Sequence, residues 1–254
     1  MKSRGVKTRN GLFIMLLLTA FLLGCGADNA ADDAVMAAAA DGEEAEEQVI
    51  DVQKLHEANS DIFAWIKIPG TSIEAPVLQS SEGDDSYYVS HDYVKRYDPD
   101  GALYIEAANG TDMCDFNTVI HGSSPSDGSR FAPLSQFLDR TFFDENQFIY
   151  VYLDGNALVY YIFAAYLRDD TRLVEQYDFS YASGCQAFLD EVYDSRSMSK
   201  IIRNGWEDQV VPENFLVTLT TTDQATGKQL VVIGSLIGDV AGTIDRYVDY
   251  GDPE

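Results

Sequence analysis

Six side chains of this sequence are of the types that most readily act as nucleophiles, proton carriers or soft metal ligands near neutral pH: Cys25, Cys114, Cys185, His56, His91 and His121. Their spacing limits what they can do. A structural metal site draws several ligands together and usually leaves closely spaced Cys or His pairs in the sequence. His56 and His91 have no such company, so no metal site and no cofactor is expected. Cys25 closes an apolar stretch near the amino terminus, whereas Cys114 sits in a polar segment ahead of a strand-like run.

The amino-terminal segment has the layout of an export signal. Lys2, Arg4, Lys7 and Arg9 precede an apolar run over residues 12–23, with no acidic residue before position 25. The run is short for a membrane span, which needs ~20 apolar residues. It ends in Leu22-Leu23-Gly24-Cys25, which resembles the lipobox of bacterial lipoproteins. That resemblance implies a diacylglycerol on the Cys25 thiol, cleavage before Cys25, and attachment of the chain through this lipid to the extracytoplasmic face of a bacterial cell membrane. An uncleaved signal anchor is the alternative, and it too places the remainder outside the membrane. In an exported chain Cys114 and Cys185 form either a disulfide or two free thiols, and one pair has no spacing signature to decide between them.

The sequence carries 42 acidic against 17 basic residues, a formal charge of −25, and removal of residues 1–24 makes the remainder more acidic still. Such a surface repels nucleic acid and anionic headgroups, so neither is expected as a ligand; its plain use is solubility. Residues 25–48 are dominated by Ala, Asp, Glu and Gly and bury too little to order themselves, which marks an acidic tether between the signal (1–24) and a domain over 49–238. A helical stripe runs from Val52 and Leu55 to Ile62 and Phe63, followed by a strand into the Pro69-Gly70 turn. Short runs rich in Tyr, Val, Ile and Phe follow at 102–106, 117–121, 148–153, 158–166, 215–222 and 229–237, with one helical stripe near 183–198. Many short strands separated by Gly, Asp, Asn and Ser clusters predict a mainly β barrel or sandwich. Residues 239–254 are expected to trail as an acidic C-terminal tail.

Several of these segments together resemble class B sortases. They are Trp65-Ile66-Lys67-Ile68-Pro69-Gly70-Thr71 with Pro76-Val77-Leu78-Gln79, then Tyr87-Tyr88 and His91-Asp92-Tyr93, then Asn117-Thr118-Val119-Ile120-His121-Gly122 with Asp127-Gly128-Ser129. Asp178-Phe179-Ser180 and Ser195-Arg196-Ser197 bracket the helix, and Thr218-Leu219-Thr220-Thr221-Thr222 and Gln229-Leu230-Val231-Val232 resemble the nucleophile strand and its successor. The resemblance covers about residues 50–238 in order and implies a closed barrel of about eight strands with a few helices. It also implies a transpeptidase in which a Cys attacks a sorting-signal peptide, a His moves protons and an Arg holds the oxyanion.

All three reacting positions depart from that pattern. Ser123 stands for the His, Thr222 for the Cys and Gln229 for the Arg. A Thr hydroxyl needs an adjacent base to attack anything, Ser123 is no base at neutral pH, and Gln229 offers a hydrogen bond without charge. His121, two residues before Ser123, should share its side of an extended strand and line the groove. Lys228 should face away from the side of Gln229. The resemblance therefore implies a sortase-like pseudoenzyme whose groove, formed by His121, Ser123, Thr222 and Gln229, holds a peptide, a cell-wall fragment or a surface protein. Two other readings stay open: an enzyme working through displaced residues, which needs Cys114 or Cys185 beside His121 and a cation, and a purely structural surface domain.

Overall fold

The computed structural model describes residues 50–194, 200–207, 209–244, 248 and 250. The expected signal over 1–24, the lipidation residue Cys25, the tether over 25–48 and the Ser195-Arg196-Ser197 segment lie outside these residues. Among the described residues no helix is long and apolar enough to cross a membrane.

Helix α1 (Val52–Ala58) starts where the Asp51 carboxylate accepts the Lys54 N–H at 2.9 Å. The helical stripe expected to reach Ile62 and Phe63 stops early. Asn59 leaves the helix in an extended conformation, φ −149°, its Oδ1 accepts the Asp61 N–H at 3.0 Å, and its Nδ2 donates to the Tyr93 carbonyl at 2.8 Å. This side-chain turn outcompetes a further helical turn. Ile62 and Phe63 instead open strand β1 (Ile62–Lys67), where Ile62, Ala64 and Ile66 are buried in alternation.

The remaining strands are β2 (Glu74–Leu78), β3 (Leu103–Ile105), β4 (Asn117–His121), β5 (Phe148–Leu153), β6 (Asn156–Arg168), β7 (Ile201–Ile202), β8 (Leu216–Thr222) and β9 (Gln229–Asp239). They lie in the order β5-β1-β2-β3-β4-β8-β9-β6-β7, and β5 pairs back onto β6 over six residue pairs. Eight strands therefore close a barrel, leaving β7 as a two-residue ribbon on β6. The pairs β2–β3 and β4–β8 are parallel, and the other ladders are antiparallel. Among the described residues three α-helices follow α1: α2 (Arg140–Glu145), α3 (Leu173–Gln176) and α4 (Ala182–Asp194), the last matching the expected stripe through Phe188, Leu189 and Val192.

Alternation assigns the core. Ile120, Val217, Leu219, Leu230 and Val232 fill the barrel with Phe131, Phe137 and Phe143. Their strand neighbours Val119, Leu216, Val231 and Ile233 point outward and are covered by Cys185, Phe188, Leu189 and Val192 of α4. Beyond the patch packed against the apolar side of α4, that same outward face continues toward the carboxyl ends of β4 and β8 and the start of β9.

One open question about the rest of the chain closes and one expectation changes. Cys114 and Cys185 are both free thiols, the first exposed in a loop and the second buried under α4. The carboxyl-terminal segment is not a simple trailing tail: Asp239 belongs to β9 and accepts from Asn156 Nδ2 at 2.9 Å, and the Val248 N–H donates to the Glu213 carbonyl at 2.5 Å. Tyr250 adds a bond from its hydroxyl to the Pro212 carbonyl at 2.8 Å. Its aromatic and apolar residues find buried partners that composition alone does not reveal.

Candidate functional site

This continuing face carries a cross-strand row. Register pairs Tyr104 of β3 with His121 of β4, His121 with Thr220 of β8, and, one pleat further on, Thr222 of β8 with Gln229 of β9 and Gln229 with Arg168 of β6. Directly paired residues share a sheet face, so all six side chains stand on one side. Tyr104, His121, Ser123, Thr220, Thr222 and Gln229 line a cavity of about 230 Å³, joined by Asp100 and Asp170 at its margin. The four groove residues expected from sequence are therefore brought together.

Each is held differently. Gly122 turns the chain after β4 and its N–H donates to the Thr220 carbonyl at 3.1 Å. A Cβ there would lie 2.5 Å from Leu103 Cδ2 and 2.6 Å from Phe131 Cδ2, so the close approach requires glycine. Ser123 Oγ then donates to the Asp100 carbonyl at 2.5 Å, which commits its proton to the backbone. Thr222 is exposed at the end of β8, and among the described residues no group hydrogen-bonds its hydroxyl. Thr220 Oγ1 and His121 Nε2 are buried in the cavity wall without a protein partner.

His121 stacks on Tyr104 with ring centroids 5.2 Å apart and brings Nε2 to 3.7 Å from Glu106 Oε1. Burial, reinforced by the positive Arg172, lowers its pKa to about 4, so the ring is neutral at pH 7 and this contact is not an ion pair. Glu106 is buried as well and is held by Arg172, whose Nη2 lies at 2.7 Å and Nε at 2.9 Å from Oε1. Burial nevertheless raises the Glu106 pKa against the opposing pull of that guanidinium. Arg172 also reaches Asp85 at 3.6 Å and Glu175 at 2.5 Å, tying the loop after β6 to the end of β3.

Gln229 is backed by Arg168. The Arg168 Nη1 donates to Gln229 Oε1 at 2.5 Å, and the rest of the guanidinium is bound by Glu191 of α4, Gln176 of α3 and the Thr171 carbonyl. Lys228, expected to face away, reaches Asp169 at 3.5 Å in the adjoining cleft.

The residues required by a displaced-thiol enzyme are not assembled. Cys114 Sγ donates to the Asp112 carbonyl at 3.4 Å in an exposed loop, and desolvation of its sulfur with the nearby carboxylates of Asp112 and Asp115 raises its pKa. Cys185 Sγ lies 2.8 Å from the Tyr250 hydroxyl, and burial raises its pKa too. Neither lines the cavity. His56 and His91 spend Nδ1 on the Ile62 and Tyr87 carbonyls, each at 2.8 Å, and among the described residues no cluster of His, Cys, Asp or Glu could hold a metal ion.

Sequence reasoning missed Glu106, Arg168, Arg172 and Asp170. A faint signal was present: Glu106 and Arg168 each follow an apolar strand run without a break, and a charge at that place belongs to the strand end as readily as to a loop.

No protein-family model matches the chain. The chain is 27% identical over 188 residues to sortase B of Staphylococcus aureus, covering 73% of this chain and 74% of that protein. It is 36% identical over 99 residues to sortase B of Listeria monocytogenes, covering 39% of this chain and 38% of that protein. Sortase B of Clostridium perfringens superposes with a TM-score of 0.64 at 25% identity over 73% of this chain and 99% of that one. A Staphylococcus aureus sortase B–substrate complex superposes with a TM-score of 0.62 at 23% identity, over 81% and 90% respectively. The closed eight-stranded barrel with few helices is thus the sortase B fold.

Proposed function

We propose that this chain is a sortase-family surface lipoprotein that has lost transpeptidation and retains a groove for an extended peptide. On this reading Ser123, Thr222 and Gln229 occupy the three reacting positions, and a lipid on Cys25 anchors the domain outside the membrane. The observation that carries it is the chemistry at the three reacting positions: two hydroxyls and a carboxamide, with no thiol and no free cation among the described residues that line the groove. Transpeptidation needs a nucleophile activated by a neighbouring base, and the neutral His121 faces Glu106 instead of Thr222. Two observations support a peptide ligand: the likeness to a sortase B captured as a substrate complex, and the Thr222 hydroxyl and Gln229 Nε2, which line the cavity without a partner among the described residues. Polar groups that line a cavity without a protein partner are placed to bond the backbone of an extended peptide.

The test pairs turnover with binding. The full chain in detergent should neither cleave sorting-signal peptides nor transfer them to an amine, above a heat-denatured control. Calorimetry against sorting-signal and cell-wall peptides should give a hit that Thr222→Trp weakens at least tenfold at unchanged thermal midpoint. Turnover abolished by Thr222→Ala would overturn the loss of chemistry. Binding indifferent to Thr222→Trp would overturn the groove.

A further inference from the structure

The Arg168 guanidinium is saturated. It is buried, and its five N–H bonds go to Glu191 Oε1 at 2.8 Å, Glu191 Oε2 at 3.1 Å, Gln176 Oε1 at 2.5 Å, the Thr171 carbonyl at 2.8 Å and Gln229 Oε1 at 2.5 Å. Arginine has five donors and no acceptor, so none remains for a ligand. The contact with Gln229 has a second consequence. A carboxamide can ordinarily flip, exchanging its oxygen and nitrogen. Beside a residue that can only donate, the flipped state would set Nε2 against Nη1, two donors facing each other, and is disfavoured. The oxygen is fixed toward Arg168. The Nε2 of Gln229 has no partner among the described residues, and Gln229 lines the cavity beside Thr222.

We propose that Arg168 is a positioning residue: it locks the Gln229 carboxamide with Nε2 directed into the groove, so that this end of the cavity takes the uncharged carbonyl oxygen of a peptide group and discriminates against anions. The proposal rests on the peptide-groove reading above and specifies the chemistry of its ligand. The surroundings favour a neutral acceptor. Asp100 and Asp170 line the same cavity, Lys228 is turned to Asp169, and Arg172 is held by Glu106, Asp85 and Glu175. An anion would meet carboxylates with no cation unoccupied, while a carbonyl needs only a donor. The arrangement also couples the groove to the helices, because Glu191 comes from α4 and Gln176 from α3.

The test uses the full chain in detergent, uniformly labelled with ¹⁵N so that backbone amides and glutamine side-chain amides are both read. The Gln229 signal is assigned by its absence in Gln229→Glu. The probes are N-methylacetamide, the smallest peptide group, and acetate, of similar size but charged. N-methylacetamide should move the Gln229 amide resonances, with an apparent affinity at least tenfold higher than that of acetate. Gln229→Glu keeps an acceptor for Arg168 and removes the donor, so it should fold normally and lose the N-methylacetamide response at Thr220 and Thr222. Arg168→Lys keeps the charge but not the fork; at an unchanged thermal midpoint its Gln229 amide should broaden or double and its affinity fall several-fold. If Arg168→Lys fails to fold, Gln229→Glu alone decides. A silent Gln229 amide while Thr220 and Thr222 respond, an unchanged response in Gln229→Glu, or preference for acetate would each overturn the positioning role and leave peptide binding standing. No response of any groove resonance, to N-methylacetamide or to longer peptides, would overturn the peptide-groove reading itself.

Discussion

Among the groups lining the groove, His121 is the one whose perturbed ionisation falls in the mildly acid range. The groups facing it are Tyr104, stacked on the ring, Glu106 at 3.7 Å, and beyond them Arg172 and Asp85. Its pKa falls from 6.5 to about 4 through burial and the positive Arg172, so between those values the unfolded chain binds a proton that the folded chain refuses. Stability from this residue is therefore complete above pH 6.5 and declines as pH falls toward 4. Glu106 acts in the opposite sense: its raised pKa gives a contribution present at low pH and lost as pH rises through the folded value. Subtraction separates the two. Urea unfolding at pH 7 and pH 5 should show wild type losing about 1–2 kcal/mol more than His121→Leu over that interval, at up to about 1.4 kcal/mol per pH unit for one proton. Parallel pH profiles for the two proteins would mean that His121 is not held neutral by the fold. At this scale the sequence was informative where a motif fixes positions, at His121, Ser123, Thr222 and Gln229. It was silent where function depends on a contact between distant residues. Arg168 and Gln229 are 61 positions apart, and Arg172 and Glu106 are 66 apart, with nothing local to mark either pair.

Among the elements, helix α4 does two things at once, covering the outward apolar face of the barrel with Phe188, Leu189 and Val192 and presenting Glu191 to Arg168. Glu191 also receives hydrogen bonds from the Tyr166 and Tyr177 hydroxyls, and although burial opposes its charge, Arg168 and those hydroxyls hold its pKa below the usual carboxylate value. The seating of α4 depends on Gly184, where a Cβ would lie 1.9 Å from the Asp178 carbonyl oxygen and 2.7 Å from its carbon. These are backbone atoms and cannot swing aside. Alanine in a helix is otherwise favourable relative to glycine by nearly 1 kcal/mol, so intrinsic propensity and packing predict opposite signs for Gly184→Ala. Packing should prevail, with a net destabilisation of about 1–3 kcal/mol and weakened peptide binding through Arg168 and Gln229. Thermal unfolding decides it, and a midpoint at or above wild type would show that the segment around Asp178 yields easily. The helix was legible as an apolar stripe, because a 3.6-residue period survives in sequence whatever it packs against. The early end of α1 was not, because Asn59 ends it through contacts with Asp61 and with Tyr93, a residue 34 positions away. The two extra residues of β6 that carry Arg168 were missed for a related reason: a buried charge looks like a loop until its partners are known.

At the scale of the whole molecule, the formal charge of −25 constrains how the protein can meet a membrane. Peripheral proteins that bind anionic bilayers through electrostatics use basic patches; a chain this acidic is repelled by such surfaces. On the lipoprotein reading proposed above, attachment comes from a hydrophobic anchor. The candidate is Cys25, at the end of Leu22-Leu23-Gly24-Cys25. A single acyl chain gives only marginal, reversible binding, whereas two or more chains hold a protein durably, which is what a diacylglycerol on Cys25 would supply. The acidic segment over 25–48 would then space the domain from the headgroups that repel it. The consequence separates the two kinds of attachment. Wild-type protein should partition into the detergent phase, remain with membranes through washes at high and low salt, and incorporate an alkyne fatty acid. Cys25→Ala should lose the label and, since cleavage before residue 25 requires the modified thiol, should retain its signal segment at higher mass. Salt is the control: a charge-driven contact weakens at high ionic strength, and a lipid anchor does not. Label kept at full strength in Cys25→Ala, or wild-type protein released by salt alone, would exclude lipidation at Cys25 and leave the uncleaved signal anchor as the means of attachment.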